Sequence, residues 1–184
     1  MDDRLTRVLV RTILEHAAAF DWKMQEIGLL GLRLDERREH RLHVWDPSAC
    51  VGDPPIHDHP FDFTSTVIVG QLTNTRYEED PSGVEYRRER ISPPDERNRR
   101  IDAVTLAGAA TTLEAGESYT QLAHELHDSR QRPGTVTIMR STFKDVPGLT
   151  ICCRHDAAAV SGRSRPATAA EVKRITAAAL DLFD

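Results

Sequence analysis

The chain has 184 residues and a net charge of −5, with 39% hydrophobic and 29% charged residues. That length suits one domain with a core of its own, and the acidic balance argues against a general nucleic-acid binder. No apolar run approaches the roughly 20 residues that span a bilayer, so no membrane partner is expected.

The cysteines are Cys50, Cys152 and Cys153, an odd number with two adjacent, which argues against a disulfide framework. The opening MDDR has neither the basic start nor the apolar middle of a secretory leader, so a cytoplasmic location is expected. Arginine pairs and runs occur at Arg87-Arg88 and Arg97 to Arg100, but Glu85, Glu89, Asp95 and Glu96 are interleaved with them. Mixed charge of this kind reads as a solvated surface.

The first predicted element is a helix within residues 1–21. Leu5, Val8, Leu9, Thr12, Ile13, His16, Ala17 and Phe20 fall at helical spacing and predict one apolar face, with His16 as a core or boundary residue. Asp2 and Asp3 stand at the start, where the helix dipole favours negative charge.

From Leu29 the hydrophobic period changes to two. Leu29 to Asp35, Arg41 to Trp45, Thr64 to Tyr77, Val84 to Ile91, Ile101 to Gly108 and Ala110 to Gly116 all read as strands. The segments ESYTQL, GTVTIMRS and LTICCR complete the series. Turn residues separate them at Asp80-Pro81-Ser82-Gly83, Pro93-Pro94, Pro133-Gly134 and Pro147-Gly148. Ser92 to Arg100 reads as a mobile loop. Many short strands at even spacing predict a β-sandwich or barrel spanning residues 29–154. The chain closes with a predicted helix over residues 167–183, where Thr168 and Glu171 have capping-box spacing and Val172, Ile175, Ala179, Leu182 and Phe183 form an apolar stripe. The expected fold is therefore all-β with a helix at each terminus, in a single domain over residues 1–184.

One stretch carries most of the chemistry. In PPIHDHPFDF, Pro54 to Phe63, His57 and His59 stand two residues apart. On a strand that spacing points both rings to one face, where they could share one ion. Pro54, Pro55 and Pro60 stiffen the segment, and Phe61 and Phe63 supply dry walls. A third ligand would come from a distant strand, and GESYTQLAHELH offers His124 and His127. On a strand these face opposite sides, so one of the two joins the site. No Gly-x-Ser-x-Gly, phosphate-binding glycine loop or His-Glu-x-x-His competes, since HELH is too short for the last.

The two histidine segments resemble the two motifs of the cupin superfamily. In the first, Gly52, His57, His59 and Gly70 match, with one residue fewer after the opening glycine and Phe63 at the usual glutamate position. In the second, Gly116 and His127 match in register, while His124 takes the place of a turn glycine and Gln131 that of an asparagine. The resemblance covers Leu29 to Arg154 and implies a cupin-type, jelly-roll-like β-barrel. It implies His57, His59 and His127 as metal ligands. Asp62 is either a fourth ligand after a small backbone shift or a group bonded to backbone N–H. His124 becomes a candidate catalytic or supporting residue.

Three neutral imidazoles leave a divalent ion its full charge and suit an anionic substrate. The ligand set is similar to that of the all-histidine thiol-dioxygenase branch of the cupins. The resemblance therefore implies a non-haem iron(II) oxygenase acting on a small anionic or thiol-containing molecule. Iron is the expected metal, and zinc, nickel, copper and manganese remain open. The alternatives are a non-redox metal-dependent isomerase, epimerase or lyase, and a barrel that binds or senses a small ligand without catalysis. An anionic substrate asks for an arginine. Val136, Ile138 and Arg140 share one strand face, so Arg140 reaches the barrel interior if the aliphatics do; Arg33 and Arg154 are similar cases. Tyr119 is the expected phenol donor, with Tyr77 and Tyr86 as further candidates. His40 and His43 bracket a strand start, Cys152 and Cys153 read as packing residues, and the barrel edges and terminal helices admit a homodimer.

Overall fold

The computed structural model describes residues 3–37, 39–50, 55–91, 100–143, 149–154 and 164–184. Helix α1 spans Asp3–Glu15 and is followed by a 3-10 turn at Ala17–Ala19, and helix α2 spans Ala169–Leu180. Between them run β1 (Lys23–Gln25), β2 (Ile27–Arg33), β3 (His40–Cys50), β4 (Ile56–His57), β5 (Phe61–Val69) and β6 (Gln71–Ile91). The series continues with β7 (Arg100–Glu114), β8 (Ser118–Gln121), β9 (Leu126–Gln131), β10 (Val136–Phe143), β11 (Leu149–Cys153) and β12 (Ser164–Pro166). The chain is thus mostly β, with a helix near each terminus, as the periodicity predicts.

The strands form two antiparallel sheets. One has seven strands in the order β12-β1-β2-β3-β10-β5-β8, the other five in the order β11-β4-β9-β6-β7, and β11 also pairs with β6. The predicted strand Thr64 to Tyr77 is two strands, because Gly70 turns the chain from the first sheet to the second. Its φ is +84°, and a Cβ there would lie 2.5 Å from the Thr135 hydroxyl oxygen, so only glycine fits. Conversely, Ile101 to Gly108 and most of Ala110 to Gly116 belong to the one strand β7, which ends at Glu114. The Asp80 to Gly83 turn lies inside β6, where the register with β7 shifts and Ser82 donates to the Asp80 carboxylate. Ser92 to Asn98, the Pro93-Pro94 and Pro147-Gly148 turns, and Arg97 and Arg99 lie outside the described residues. The Arg87-Arg88 pair sits on β6 among carboxylates: Arg88 contacts Asp102 and Glu79, and Arg87 lies 3.3 Å from Glu89.

The main core lies between the seven-stranded sheet and the two helices. It joins Val10 and Leu14 of α1, Val172, Ile175 and Ala179 of α2, and Leu30, Leu42, Val44 and Val136 of the sheet. The capping box expected at α2 is present, with the Thr168 hydroxyl accepting from Glu171 N–H and the Glu171 carboxylate accepting from Thr168 N–H. The face of α1 differs in part from expectation. Leu5, Val8 and Leu9 are 65%, 57% and 57% exposed, whereas Val10 and Leu14, outside the predicted face, are buried; Ala17 is buried and Ile13 packs against the core, as that face predicts. Two apolar faces satisfy the helical period here, and contact with α2 and the sheet selects Val10 and Leu14. His16 is exposed and its Nδ1–H donates to the Thr12 carbonyl.

This assignment of faces predicts a contrast. Leu14→Ala should cost about 2–5 kcal/mol in urea unfolding, the range for emptying a packed core position. Leu9→Ala should change stability by no more than about 0.5 kcal/mol.

Candidate metal centre

The site begins with a strand of two residues. In β4, His57 is the antiparallel register partner of His127 in β9 and also of Ile151 in β11. Directly paired residues on adjacent strands hold their Cβ atoms about 4.5–5.5 Å apart on one face, so the pairing alone brings two imidazoles together. Their ring centroids are 4.8 Å apart. His59 follows past the end of β4, with its ring 4.8 Å from that of His57 and 5.2 Å from that of His127. Each ring offers one nitrogen to a cluster whose atoms all lie within 4.8 Å of one another. The Nε2 atoms of His59 and His127 are 3.1 Å apart. Bonds of about 2.0–2.1 Å to one ion place two ligands about 3.0–3.4 Å apart, so this pair already has the required spacing.

The far side of each ring decides which nitrogen is bare. Nδ1–H of His127 donates to Asn74 Oδ1 at 2.9 Å, and the Ser129 hydroxyl donates to the same oxygen. Nδ1–H of His57 donates to the Pro55 carbonyl at 3.0 Å. In a neutral imidazole, a proton on Nδ1 leaves the Nε2 lone pair free, and both lone pairs serve the cluster. His59 Nε2–H can donate to His127 Nε2 in the absence of an ion. An ion requires that proton to move to Nδ1, a change of tautomer without a change of charge.

Burial keeps all three rings neutral. His127 is 3% exposed, and burial, with the neighbouring His57 and Arg76, pushes its pKa down to about 2. Burial likewise lowers His57, partly offset by the Pro55 carbonyl and the Asp58 and Asp128 carboxylates, and lowers His59 to well below its ordinary value. Aromatic walls account for part of this. The His59 ring lies 4.9 Å from Phe61 and 5.2 Å from Phe63, and Phe63 is 5.6 Å from His127. The donor set therefore fits a divalent transition metal: deprotonated nitrogen ligands, fixed tautomers and a water-poor shell.

The rings face a cavity of about 140 Å³ between the two sheets. Arg41, His43, Phe63, Ser65, Tyr119 and Met139 line it from the seven-stranded sheet, and His127 and Ser129 from the other. Tyr119 thus stands in the cavity wall. Its hydroxyl lies 3.5 Å from that of Ser129, and burial raises its pKa, so it keeps its proton.

The other expected site residues stand elsewhere. Asp62 is outside the histidine cluster, and its carboxylate accepts from Ala123 N–H at 2.8 Å. Phe63 lines the cavity and Phe61 packs against the His59 ring, so strand alternation turns Asp62 away. His124 is exposed, pairs with Asp58 through Nδ1 at 3.1 Å, and donates its backbone N–H to the His59 carbonyl at 3.0 Å. Its φ of +64° is left-handed, as a tight turn requires. Asp62 and His124 therefore clasp the turn before β9 onto the segment bearing His59. Arg140 is exposed in a surface groove with Arg7 and His40. The premise behind it fails because Val136 and Ile138 face the helices. Arg33 and Arg154 are exposed as well. Tyr77 and Tyr86 pack with Ile56 and Cys152 in a separate cluster, and the Tyr77 hydroxyl donates to Asp128. None of the three cysteines forms a disulfide among the described residues.

Sequence reasoning missed Asn74 and Arg41, and took His43 no further than a strand start. Asn74 carries no local signal, because only the pairing of β6 with β9 sets it beside His127. The Arg41 and His43 alternation on β3 was legible, but not which side of the sheet held the cavity.

Two outcomes test this geometry. Asn74→Leu should weaken zinc or iron binding by about 10–100-fold, as expected for loss of a group that orients a ligand, whereas Asp62→Asn should leave metal affinity within about threefold of the wild type in competition with a chelator. Without metal, stability should fall as pH drops below about 6.5. An unfolded chain takes up protons there that the buried rings refuse, at no more than about 1.4 kcal/mol per pH unit for each ring. Replacing His127 with Gln should flatten that slope in urea titrations between pH 7 and 5.

No protein-family model matches the chain. No curated protein matches it either. Among solved structures, a chain from the crystal structure of Drosophila melanogaster CENP-C bound to CAL1 is similar at 9% identity over 83% of this chain and 99% of that one. Its TM-score is 0.33, which carries no argument about fold or function.

Proposed function

We propose that the chain is a metal-dependent enzyme of cupin type, a non-haem iron oxygenase acting on a small anionic molecule in the cavity between its sheets. The observation that carries this reading is the convergence of three neutral imidazoles, two with Nδ1–H tied back by Asn74 and Pro55. The cupin reading draws support from three backbone positions. Gly70 and Gly116, the outer motif glycines that match, have φ of +84° and +91°, and His124 has a left-handed φ at the turn-glycine position. The barrel of that family would here be the two facing sheets.

His57, His59 and His127 would hold the ion through Nε2. A divalent iron bound there supplies a centre of undiminished +2 charge with positions open to substrate and dioxygen. Phe61 and Phe63 keep water from the rings, and Asn74 and the Pro55 carbonyl hold the ligand tautomers. Tyr119 presents a protonated phenol to the cavity beside Ser129. Asp62, bonded to the Ala123 amide, leaves the ligand set without a carboxylate.

The test is metal analysis of protein purified without chelator, followed by dioxygen uptake with small thiols and short carboxylic acids. Iron at one per chain with substrate-dependent uptake is the expected result, and His127→Ala should abolish both. Zinc or nickel without uptake would replace the oxygenase with a Lewis-acid isomerase or lyase. An intact fold that retains no metal would reduce the chain to a small-ligand binding module.

A further inference from the structure

The helix-bearing face of the seven-stranded sheet carries a second concave site, across the sheet from the histidine cluster. Val136, Ile138 and Arg140 share that side of β10, and the first two pack into the core beneath the helices. Arg140 emerges past them and is exposed. Residues directly opposite on adjacent strands point to the same side. The register therefore sets His40 of β3, Arg140 of β10, Thr64 of β5 and Thr120 of β8 in one row across four strands. The next row holds Ile138, Thr66 and Ser118. Hydroxyls meet across the strands in both rows, Thr64 with Thr120 at 3.1 Å and Thr66 with Ser118 at 2.8 Å.

Arg7 of α1 joins these rows to line a groove of about 630 Å³. No aspartate or glutamate is among its described lining residues. Arg7 donates one N–H to the Ile68 carbonyl at 2.9 Å, and its guanidinium lies 4.9 Å from the centre of the Phe183 ring, so it is fixed in place. The Asp35 carboxylate holds His40 through Nδ1 at 2.9 Å, which leaves Nε2 for a ligand. The Arg140 side chain has no hydrogen bond or ion pair among the described residues. A lone exposed arginine is an ordinary solvated group. Two guanidiniums, an imidazole and a bed of hydroxyls around one groove without acidic lining are complementary to an anion.

The donors come from a helix and from several strands and do not share one plane. That arrangement suits the tetrahedral oxygens of a phosphate better than the two coplanar oxygens of a carboxylate. The groove opens to solvent, so a dianion there keeps part of its hydration and escapes the full cost of burial. Its volume is that of about twenty waters at about 30 Å³ each, room for a phosphate and for the small molecule that bears it.

We propose that this groove binds a small molecule carrying a phosphate monoester. Arg140 is the main anchor, Arg7 and His40 flank it, and the hydroxyls of Thr64, Thr66 and Ser118 form the floor. The site needs no metal and does not rest on the proposed function.

Titration calorimetry on the full chain tests this with glycerol 3-phosphate as the probe, and with acetate and glycerol as its carboxylate and uncharged counterparts. Saturable binding of glycerol 3-phosphate is expected, with acetate weaker by about tenfold or more and glycerol not bound. Arg140→Gln should weaken the phosphate ester by about tenfold or more, the effect of losing hydrogen bonds to a charged group. Arg140→Lys, which keeps the charge and loses the fork, should fall between the two. Both variants alter an exposed side chain, and circular dichroism checks that they fold. Prior chelator treatment should leave the affinity unchanged. Absence of saturable binding, equal affinity for acetate, or equal binding by wild type and Arg140→Gln would overturn the proposal. Binding lost on chelation but kept in Arg140→Gln would put the phosphate on a metal ion and overturn it too. A chain that binds the ester but retains no metal loses the oxygenase reading and keeps this groove.

Discussion

Everything at the site depends on one antiparallel register, the pairing of His57 with His127. Strand β4 has two residues, Ile56 and His57, too few to hold a position through its own hydrogen bonds. It is held from both sides, by β9 and by β11. Asp58, 2% exposed, adds a further tie by accepting from Thr150 N–H at 2.6 Å. A slip of one residue would turn His57 to the opposite face and place Ile56 or Asp58 beside His127. The buried aspartate between the two histidines therefore keeps the register, and it faces away from the rings it separates.

The same economy appears around the turn before β9. Asp62 and His124 belong by sequence to the two histidine motifs, and each bonds to backbone of the other motif. Asp62 takes the amide of Ala123, and His124 gives its amide to His59. These short contacts join segments more than sixty residues apart and hold two of the three rings at ligand spacing. Preorganisation of this kind lowers the ordering cost of binding an ion. It also explains why two polar residues so close to the site contribute geometry and no ligand atom.

The distribution of apolar residues sets the character of the cavity. The seven-stranded sheet gives its most aliphatic face, Leu30, Leu42, Val44 and Val136, to the helices. Its other face carries Arg41, His43, Phe63, Ser65 and Met139 toward the second sheet. Stability rests largely on the layer of helices against sheet, which leaves the space between the sheets free for polar and aromatic groups that a tightly packed core would exclude. The small volume and lack of described acidic lining follow from that division of labour.

The sequence by itself determined the elements and the donors: period-two runs for the sheets, a capping box for α2, and a His-x-His pair stiffened by prolines with a third imidazole far downstream. These are legible because they depend on alternation, local backbone restriction and side-chain chemistry, all of which act over a few residues. Tertiary structure decided which side of each element mattered. Val8 and Val10 serve the helical period equally well, and only α2 and the sheet chose Val10. Val136 and Arg140 share a face as read, but the helices, and not the cavity, lie on that side. Asn74, Arg41 and His43 reached the site through strand pairings and sheet packing that no local window contains, because cross-strand neighbours are set by register between segments distant in the chain.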